Sequence, residues 1–195
     1  MDHIYQNKSF GENWFGYEEL YKKFIDTAKD GDVIVEVGVW KGKSVSYLGV
    51  EAINSGKDIT IYAVDTWLGS NVIEHNTDPY VKSGTLYDLF LENIKDLTSV
   101  IKPMRMPSLE AVNHFEDNSL HAVYIDADHR YEEVRKDIQA WYPKVKTGGF
   151  VSGHDCSYPH QPKNGVRKAV EEFMPSDEIL MGPARIVTGK QIHQF

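Results

Sequence analysis

Asp32-Val33-Ile34-Val35-Glu36-Val37-Gly38-Val39-Trp40-Lys41-Gly42-Lys43-Ser44 is the stretch on which the fold turns. Its first six residues form a short β-branched run, the pattern of a strand buried in a parallel sheet. Gly38 and Gly42 then interrupt the run, and glycine lets a backbone turn sharply and a ligand lie against it. A helix follows, because Val45, Leu48, Ala52 and Ile53 recur with helical spacing between Lys43 and Asn54, and Gly56 closes it. The helix starts where its first N–H groups have no partner, which makes the turn a place for a polar ligand.

Working outward, the same alternation repeats. Ile59 to Val64 reads as a second strand, and Leu86 to Leu97 as a helix with Leu86, Leu89, Phe90, Ile94 and Leu97 on one face. Val100 to Met104 reads as a third strand, which Pro103 places near an edge. A short helix over Ser108 to Phe115 precedes a fourth strand, Ala122 to Ile125, which ends at Asp126. Tyr131 to Tyr142 is a helix with Val134, Ile138 and Trp141 inward; Thr147-Gly148-Gly149 then turns into a fifth strand, Phe150 to Ser152. Gly165 to Met174 is helical, and Glu178 to Met181 and Ala184 to Val187 flank Gly182-Pro183 as a hairpin. Strands alternating with helices imply right-handed crossovers. The expectation is an α/β, Rossmann-like, doubly wound seven-stranded sheet, mostly parallel with one antiparallel strand near the C-terminus. One domain is expected over residues 1–195, with residues 1–30 as a helical extension packing on or near the site; Tyr17 to Lys29 is its amphipathic helix. Thr66 to Gly84 is long and polar for a connection, as lids and binding segments are.

At 195 residues there is room for one sizeable core, and 41% hydrophobic with 26% charged residues is an ordinary globular balance. No apolar run approaches the roughly 18 to 20 residues of a membrane helix, and the first eight residues lack the apolar run of a secretory signal. With Cys156 the only cysteine, no internal disulfide framework exists, so a cytoplasmic location is expected. A net charge of −8 argues against nucleic acid and anionic lipid as main partners, leaving a small molecule.

The chemistry gathers at the strand ends. The Gly38-x-x-x-Gly42 spacing departs from the Gly-x-Gly-x-x-Gly of dinucleotide folds, which disfavours NAD. Asp65 ends the second strand 23 residues after Gly42, close to the separation at which an acid accepts hydrogen bonds from ribose hydroxyls. A plain strand-to-helix turn and a solvated strand-end acid are the bland alternatives. The fourth strand ends in Asp126-Ala127-Asp128-His129 and the fifth in Gly153-His154-Asp155. If these strands are neighbours, their oxygens could hold a hard cation such as Mg²⁺. Equally, His129 or His154 could take a proton from a substrate hydroxyl, or the acids could simply cap loops.

These motifs, together with Val64-Asp65-Thr66-Trp67-Leu68-Gly69 and Gly148-Gly149-Phe150-Val151-Ser152-Gly153-His154-Asp155, resemble those of class I S-adenosylmethionine (SAM)-dependent methyltransferases. The nearest likeness is to the branch with macrocin O-methyltransferase-like and cephalosporin hydroxylase-like proteins. The resemblance implies SAM on Glu36, Gly38, Trp40, Gly42 and Ser44, its ribose on Asp65 and Thr66, its adenine edge at Ser108, and Asp126 beside the sulfonium and acceptor. In metal-dependent relatives Asp126 and Asp155 would be ligands; Cys156 stands where a further oxygen ligand is usual, and cysteine suits Mg²⁺ poorly.

The expected reaction is methyl transfer to a small acceptor, most naturally a hydroxyl of a sugar or phenolic natural product. His129 is expected as base, with Asp126 and Asp155 orienting it or holding a cation and His154 alongside. Aromatic residues of the acceptor segments (Trp14, Phe15, Tyr17, Trp67, His75, Tyr80, Tyr158, His160) suit sugar or phenolic rings and equally a homodimer interface. The rivals are an NAD-dependent oxidoreductase, a non-catalytic SAM-binding module, and a metal-assisted hydroxylase or hydrolase built on Asp126 and Asp155.

Overall fold

The computed structural model describes residues 1–4, 10–11, 14–70, 73–156, 165–173 and 185–188. β1 (Asp32–Val37) lies at the centre of the sheet and pairs in parallel with β2 (Ile59–Asp65) on one side and β4 (Leu120–Ile125) on the other. β3 (Ile101–Arg105) flanks β2, and β5 (Val145–Gly153) flanks β4, both parallel to their neighbours. β6 (Arg185–Thr188) pairs antiparallel with β5, giving the order β3-β2-β1-β4-β5-β6.

The seven-stranded expectation is corrected: the sheet among the described residues has six strands, and its five-stranded core from β3 to β5 is wholly parallel. The Glu178–Met181 half of the expected hairpin lies outside the described residues, and β6 is hydrogen-bonded to β5. Four-residue apolar runs are too short for periodicity to assign a pairing partner.

Alternation along the strands builds two cores. Ile34, Ile61, Ala122, Tyr124 and Phe150 face α1 (Glu18–Thr27), α2 (Lys43–Ser55) and α5 (Leu86–Asn93). Val35, Val37, Val64, Val123 and Val151 face α6 (Ser108–Ala111), α7 (Tyr131–Trp141) and α8 (Gly165–Phe173). Both faces of β1 and β4 are therefore dry, which is why their sequences are nearly continuous apolar runs. α1 carries Glu18 and Glu19 in its first turn, where acids suit the helix dipole, and buries Leu20, Tyr21, Phe24 and Ile25. Each such side chain is worth about 1.5 to 3 kcal/mol of burial, so the N-terminal helix is part of the core.

Two local details differ from the sequence reading, and a third agrees with it. Residues 66–84 are not one loop: α3 (Ile73–Thr77) and α4 (Pro79–Ser83) form within them, the latter capped by the Asp78 side chain on the Tyr80 and Val81 N–H groups. β5 starts at Val145 and runs through the glycine pair, with a register shift against β4. β3 is an edge strand, as Pro103 requires. Among the described residues no helix is long and apolar enough to cross a membrane.

Candidate active site at the carboxyl rim of the sheet

β1 ends in a turn that only glycine can begin. Gly38 has φ +86°, and a Cβ there would lie 2.5 Å from the Asp126 carbonyl carbon and 2.8 Å from the Ala127 Cα. The Asp126 N–H in turn donates to the Val37 carbonyl at 2.7 Å, so the ends of β1 and β4 touch. Gly42, with φ +88°, sits at the N-cap of α2. Between them Trp40 adopts a left-handed conformation, φ 51°, which is uncommon for a bulky residue and marks a constrained turn.

Asp65 organises that turn. Its Oδ2 accepts from the Val39 and Trp40 N–H groups at 3.0 Å each, and its Oδ1 accepts from Trp67 N–H at 2.8 Å. Burial raises its carboxyl above the ordinary value, and these backbone donors work against that rise. Thr66 caps the next turn, its hydroxyl accepting from Leu68 N–H.

Glu36 is completely buried beneath the turn. Ser44 donates its hydroxyl to Oε1, while Oε2 has no hydrogen-bond partner. Burial pushes the acid up to about 8, helped by the nearby carboxylates of Asp126 and Asp65. Three buried phenols surround this place. Tyr17, at the start of α1, stacks on Tyr124 at 4.8 Å and meets the His154 ring at 5.4 Å; Tyr21 packs against Tyr124 at 5.2 Å. The Tyr21 and Tyr124 hydroxyls are likewise buried without a partner. An orphaned buried acceptor beside the glycine turn fits the ammonium of an amino-acid-bearing nucleoside such as SAM.

The ends of β4 and β5 bring four titratable groups together, as the sequence predicts. His129 Nε2 lies 3.2 Å from Asp126 Oδ1, and its Nδ1 lies 3.0 Å from Asp155 Oδ2. The Asp126 hydrogen bond, with the fields of both carboxylates, raises the pKa of His129 against the penalty of burial and the neighbouring His154. His154 Nδ1 lies 3.0 Å from Asp155 Oδ1 and 3.9 Å from Asp126 Oδ1. Burial opposes its charge, but the Asp155 hydrogen bond and the fields of both acids prevail and raise it to about 9. Asp155, at φ 64°, is held low by the same two histidines against the penalty of burial.

The metal reading does not fit this arrangement. Asp126 Oδ1 and both Asp155 oxygens face imidazoles, and among the described residues no group of three or more His, Cys, Asp and Glu side chains could hold a metal ion. Cys156 is buried and offers no oxygen.

Ser108 sits at the start of α6 just beyond β3, next to Asp65 through a Met106 N–H to Asp65 carbonyl bond of 3.0 Å. Its hydroxyl points to Asp137 and Trp141 of α7. On the outer side of the turn Trp40 stacks on His75 at 4.1 Å, with Trp14 about 6 Å from both rings. Lys41 pairs with Asp78 at 2.5 Å in a largely shielded position, tying the cofactor turn to α4. Tyr158 and His160 lie outside the described residues.

Sequence reasoning missed the Tyr21–Tyr124 cluster, the Lys41–Asp78 pair and Asp137. The Asp78-Pro79 step is a helix-start signal that would have found α4, and Tyr17 and Tyr21 are spaced to share one helix face. Nothing local marks Tyr124 or Asp137.

Comparison with known proteins gives this rim its class. A family described as a methyltransferase domain matches residues 35–156, from the middle of β1 to just past Asp155, and the chain belongs to it. An uncharacterized protein (y4gI) of Sinorhizobium fredii is 28% identical over 123 residues, which is 63% of this chain and only 13% of that protein. The fold is shared with a SAM-dependent O-methyltransferase from Thermotoga maritima at TM-score 0.55 and 16% identity, over 83% of this chain and 52% of that one. It is shared too with the O-methyltransferase NovP at TM-score 0.57 and 16% identity, over 80% and 69% of the two chains.

Proposed function

We propose that this chain binds SAM across the Glu36–Ser44 turn and Asp65, and transfers its methyl group to a hydroxyl of a small acceptor. One observation carries the reading: the Asp126–His129–His154–Asp155 cluster stands at the same rim as the glycine turn, with the Gly38 and Asp126 backbones in contact. Cofactor and proton-handling groups are thus held together by the meeting of two strand ends.

Bound SAM supplies a methyl already activated on a sulfonium. The protein's part is alignment and proton removal. Glu36 and Asp65 would hold the two ends of the cofactor. With SAM bound, the acceptor hydroxyl would take the methyl from sulfur, which would keep the bonding pair, and would give up its proton to an imidazole. His154 suits that step better than His129. Asp155 engages its Nδ1, and its Nε2 has no partner among the described residues, whereas both nitrogens of His129 face carboxylates. In-line alignment of the reactants contributes on the order of 7 to 11 kcal/mol, and a base a further 10² to 10⁴-fold, roughly. A sugar or phenolic acceptor fits the aromatic shelf of Trp14, Trp40 and His75.

Calorimetry with S-adenosylhomocysteine and with NAD tests the cofactor, and turnover of hydroxyl acceptors with H154Q and H129Q tests the base. Binding of NAD but not S-adenosylhomocysteine would overturn the proposal. Full turnover by H154Q would remove the base assignment alone.

A further inference from the structure

His154 is anchored at one ring atom. Its Nδ1 lies 3.0 Å from Asp155 Oδ1, and Asp126 Oδ1 stands farther off at 3.9 Å. One hydrogen bond holds an atom but not the plane of the ring, because the torsion that turns an imidazole is broad and roughly two-fold. A half-turn about that torsion puts a carbon where each nitrogen was. A base must present its nitrogen in one place, within hydrogen-bond reach of the proton it takes. The plane of His154 therefore needs a second hold.

Tyr17 packs against it. The two ring centroids are 5.4 Å apart and the planes are inclined at 49°, an ordinary aromatic contact. The sequence places Tyr17 among the aromatic residues that would meet an acceptor. In the fold it is only 8% exposed, too little for a substrate ring to stack on. Its surface is spent on other side chains instead. Tyr124 stacks on it at 4.8 Å and 20°, while Phe15 and Tyr21 meet it edge-on at 4.7 Å and 5.1 Å.

The backbone of Tyr17 is held as well. It is the N-cap of α1, and its carbonyl accepts from the Leu20 and Tyr21 N–H groups at 3.1 Å and 3.3 Å. A ring packed on three others at a helix start has little freedom to turn, since close-packed interiors leave few voids. Burial, with the fields of Asp126 and Glu36, holds its phenol well above the usual range. His154 thus leans on a wall that is both fixed and uncharged. That wall comes from outside residues 35–156, the part of the chain that matches the methyltransferase domain.

We propose that Tyr17 is a positioning residue for the reaction: its ring fixes the plane of His154, so that the imidazole keeps one orientation on Asp155. This rests on the reading of His154 as the base. The work is done by the flat face of the ring and not by the hydroxyl. Phenylalanine at position 17 therefore serves as well as tyrosine, and a side chain without a ring does not. The N-terminal helix becomes part of the catalytic unit through this one contact.

The test is nuclear magnetic resonance on the full chain carrying ¹³C-labelled histidine and tyrosine rings, with H154Q used to assign the His154 signals. Wild type should show Overhauser effects between the ring protons of Tyr17 and His154. Relaxation of the His154 ring should give an order parameter of about 0.85 in wild type and in Y17F, and below about 0.6 in Y17L and Y17M. Y17M fills the space with a flexible, adaptable side chain, so it carries the test if Y17L does not fold. Thermal unfolding identifies the folded variants. A purely structural Tyr17 would lower the unfolding temperature and leave the His154 ring as rigid as before. Absence of the Overhauser effects in wild type, or an unchanged order parameter in folded Y17L or Y17M, overturns the inference and leaves the base reading standing. Full turnover by H154Q overturns the base reading and the inference with it.

Discussion

Replacing Gly38 by alanine separates two costs that usually come mixed. Gly38 and Gly148 both have left-handed backbones, φ +86° and +81°, so either alanine pays the same conformational penalty of roughly 1 to 2 kcal/mol. Around Gly148 there is nothing within 4 Å of the added Cβ. Around Gly38 the Cβ meets the Asp126 carbonyl and the Ala127 Cα well inside 3.0 Å, and both are backbone atoms that no rotamer change can move. The ends of β1 and β4 must open by about 1 Å, the scale of misplacement that costs on the order of 10²-fold in a reaction set by alignment. Asp126 moves with that opening, and with it the nearer ring nitrogens of His129 and His154. Urea unfolding of both variants gives the stability difference, and calorimetry with S-adenosylhomocysteine gives the effect on the turn. The expected result is G148A within about 2 kcal/mol of wild type and fully competent to bind, with G38A less stable than G148A and at least tenfold weaker in binding. Equal stability of the two variants, with equal affinity, would refute the claim that the strand ends are in contact.

Other consequences can be checked alongside. Because His154 is raised to about 9 by Asp155 and Asp126, its neutral, proton-accepting form appears only as pH rises, so the rate of hydroxyl methylation climbs up to about pH 9; a rate already level at pH 7 would contradict this. Glu36 has a folded pKa of about 8, above its unfolded value, so the unfolded chain loses its proton first and stability falls as pH rises toward 8. Relative to wild type, E36Q gains stability over that interval at about 1.4 kcal/mol per pH unit, read from unfolding midpoints at a series of pH values. For the shielded Lys41–Asp78 pair, K41M leaves the Asp78 carboxylate without its cation, held only by the Tyr80 and Val81 N–H groups, and costs about 1 to 3 kcal/mol; D78N in the K41M background should recover much of it in a double-mutant cycle. Asp78 is held below its usual pKa by that pair and by backbone donors against the penalty of burial, so the wild-type contribution is present above the unfolded pKa and lost as pH falls through the folded one.

The parallel core was legible because both of its faces are buried. β1 and β4 are apolar except at Asp32 and His121, which pair near the amino ends of the two strands, and at Glu36, a site residue. The glycine turn, Asp65 and the Asp126/His129/His154/Asp155 rim were readable because each follows directly on a strand end. What could not be read depends on partners far apart in the chain. Tyr124 looks like any strand aromatic until Tyr17 and Tyr21 arrive from α1, and Asp137 looks like a surface helix acid until Ser108 reaches it from 29 residues away. The spacing of two acids likewise says nothing of the two histidines that pair with them, and the metal reading gains no support among the described residues. The described residues form six strands, and the seventh expected one, Glu178–Met181, lies outside them.

Pro103 at the middle of β3 bears on how copies of the chain behave toward one another. Among the described residues β3 is the sheet's edge on the β2 side, and its central residue has no N–H to offer. Lys102 and Arg105, both exposed, place positive charges along the same short strand. A strand lacking a donor at its midpoint and flanked by charge is a poor template for another chain's backbone, so this edge is protected against runaway strand addition and aggregation at high concentration. Replacing Pro103 with valine would restore the donor and, by the same logic, turn a quiet border into an adhesive one.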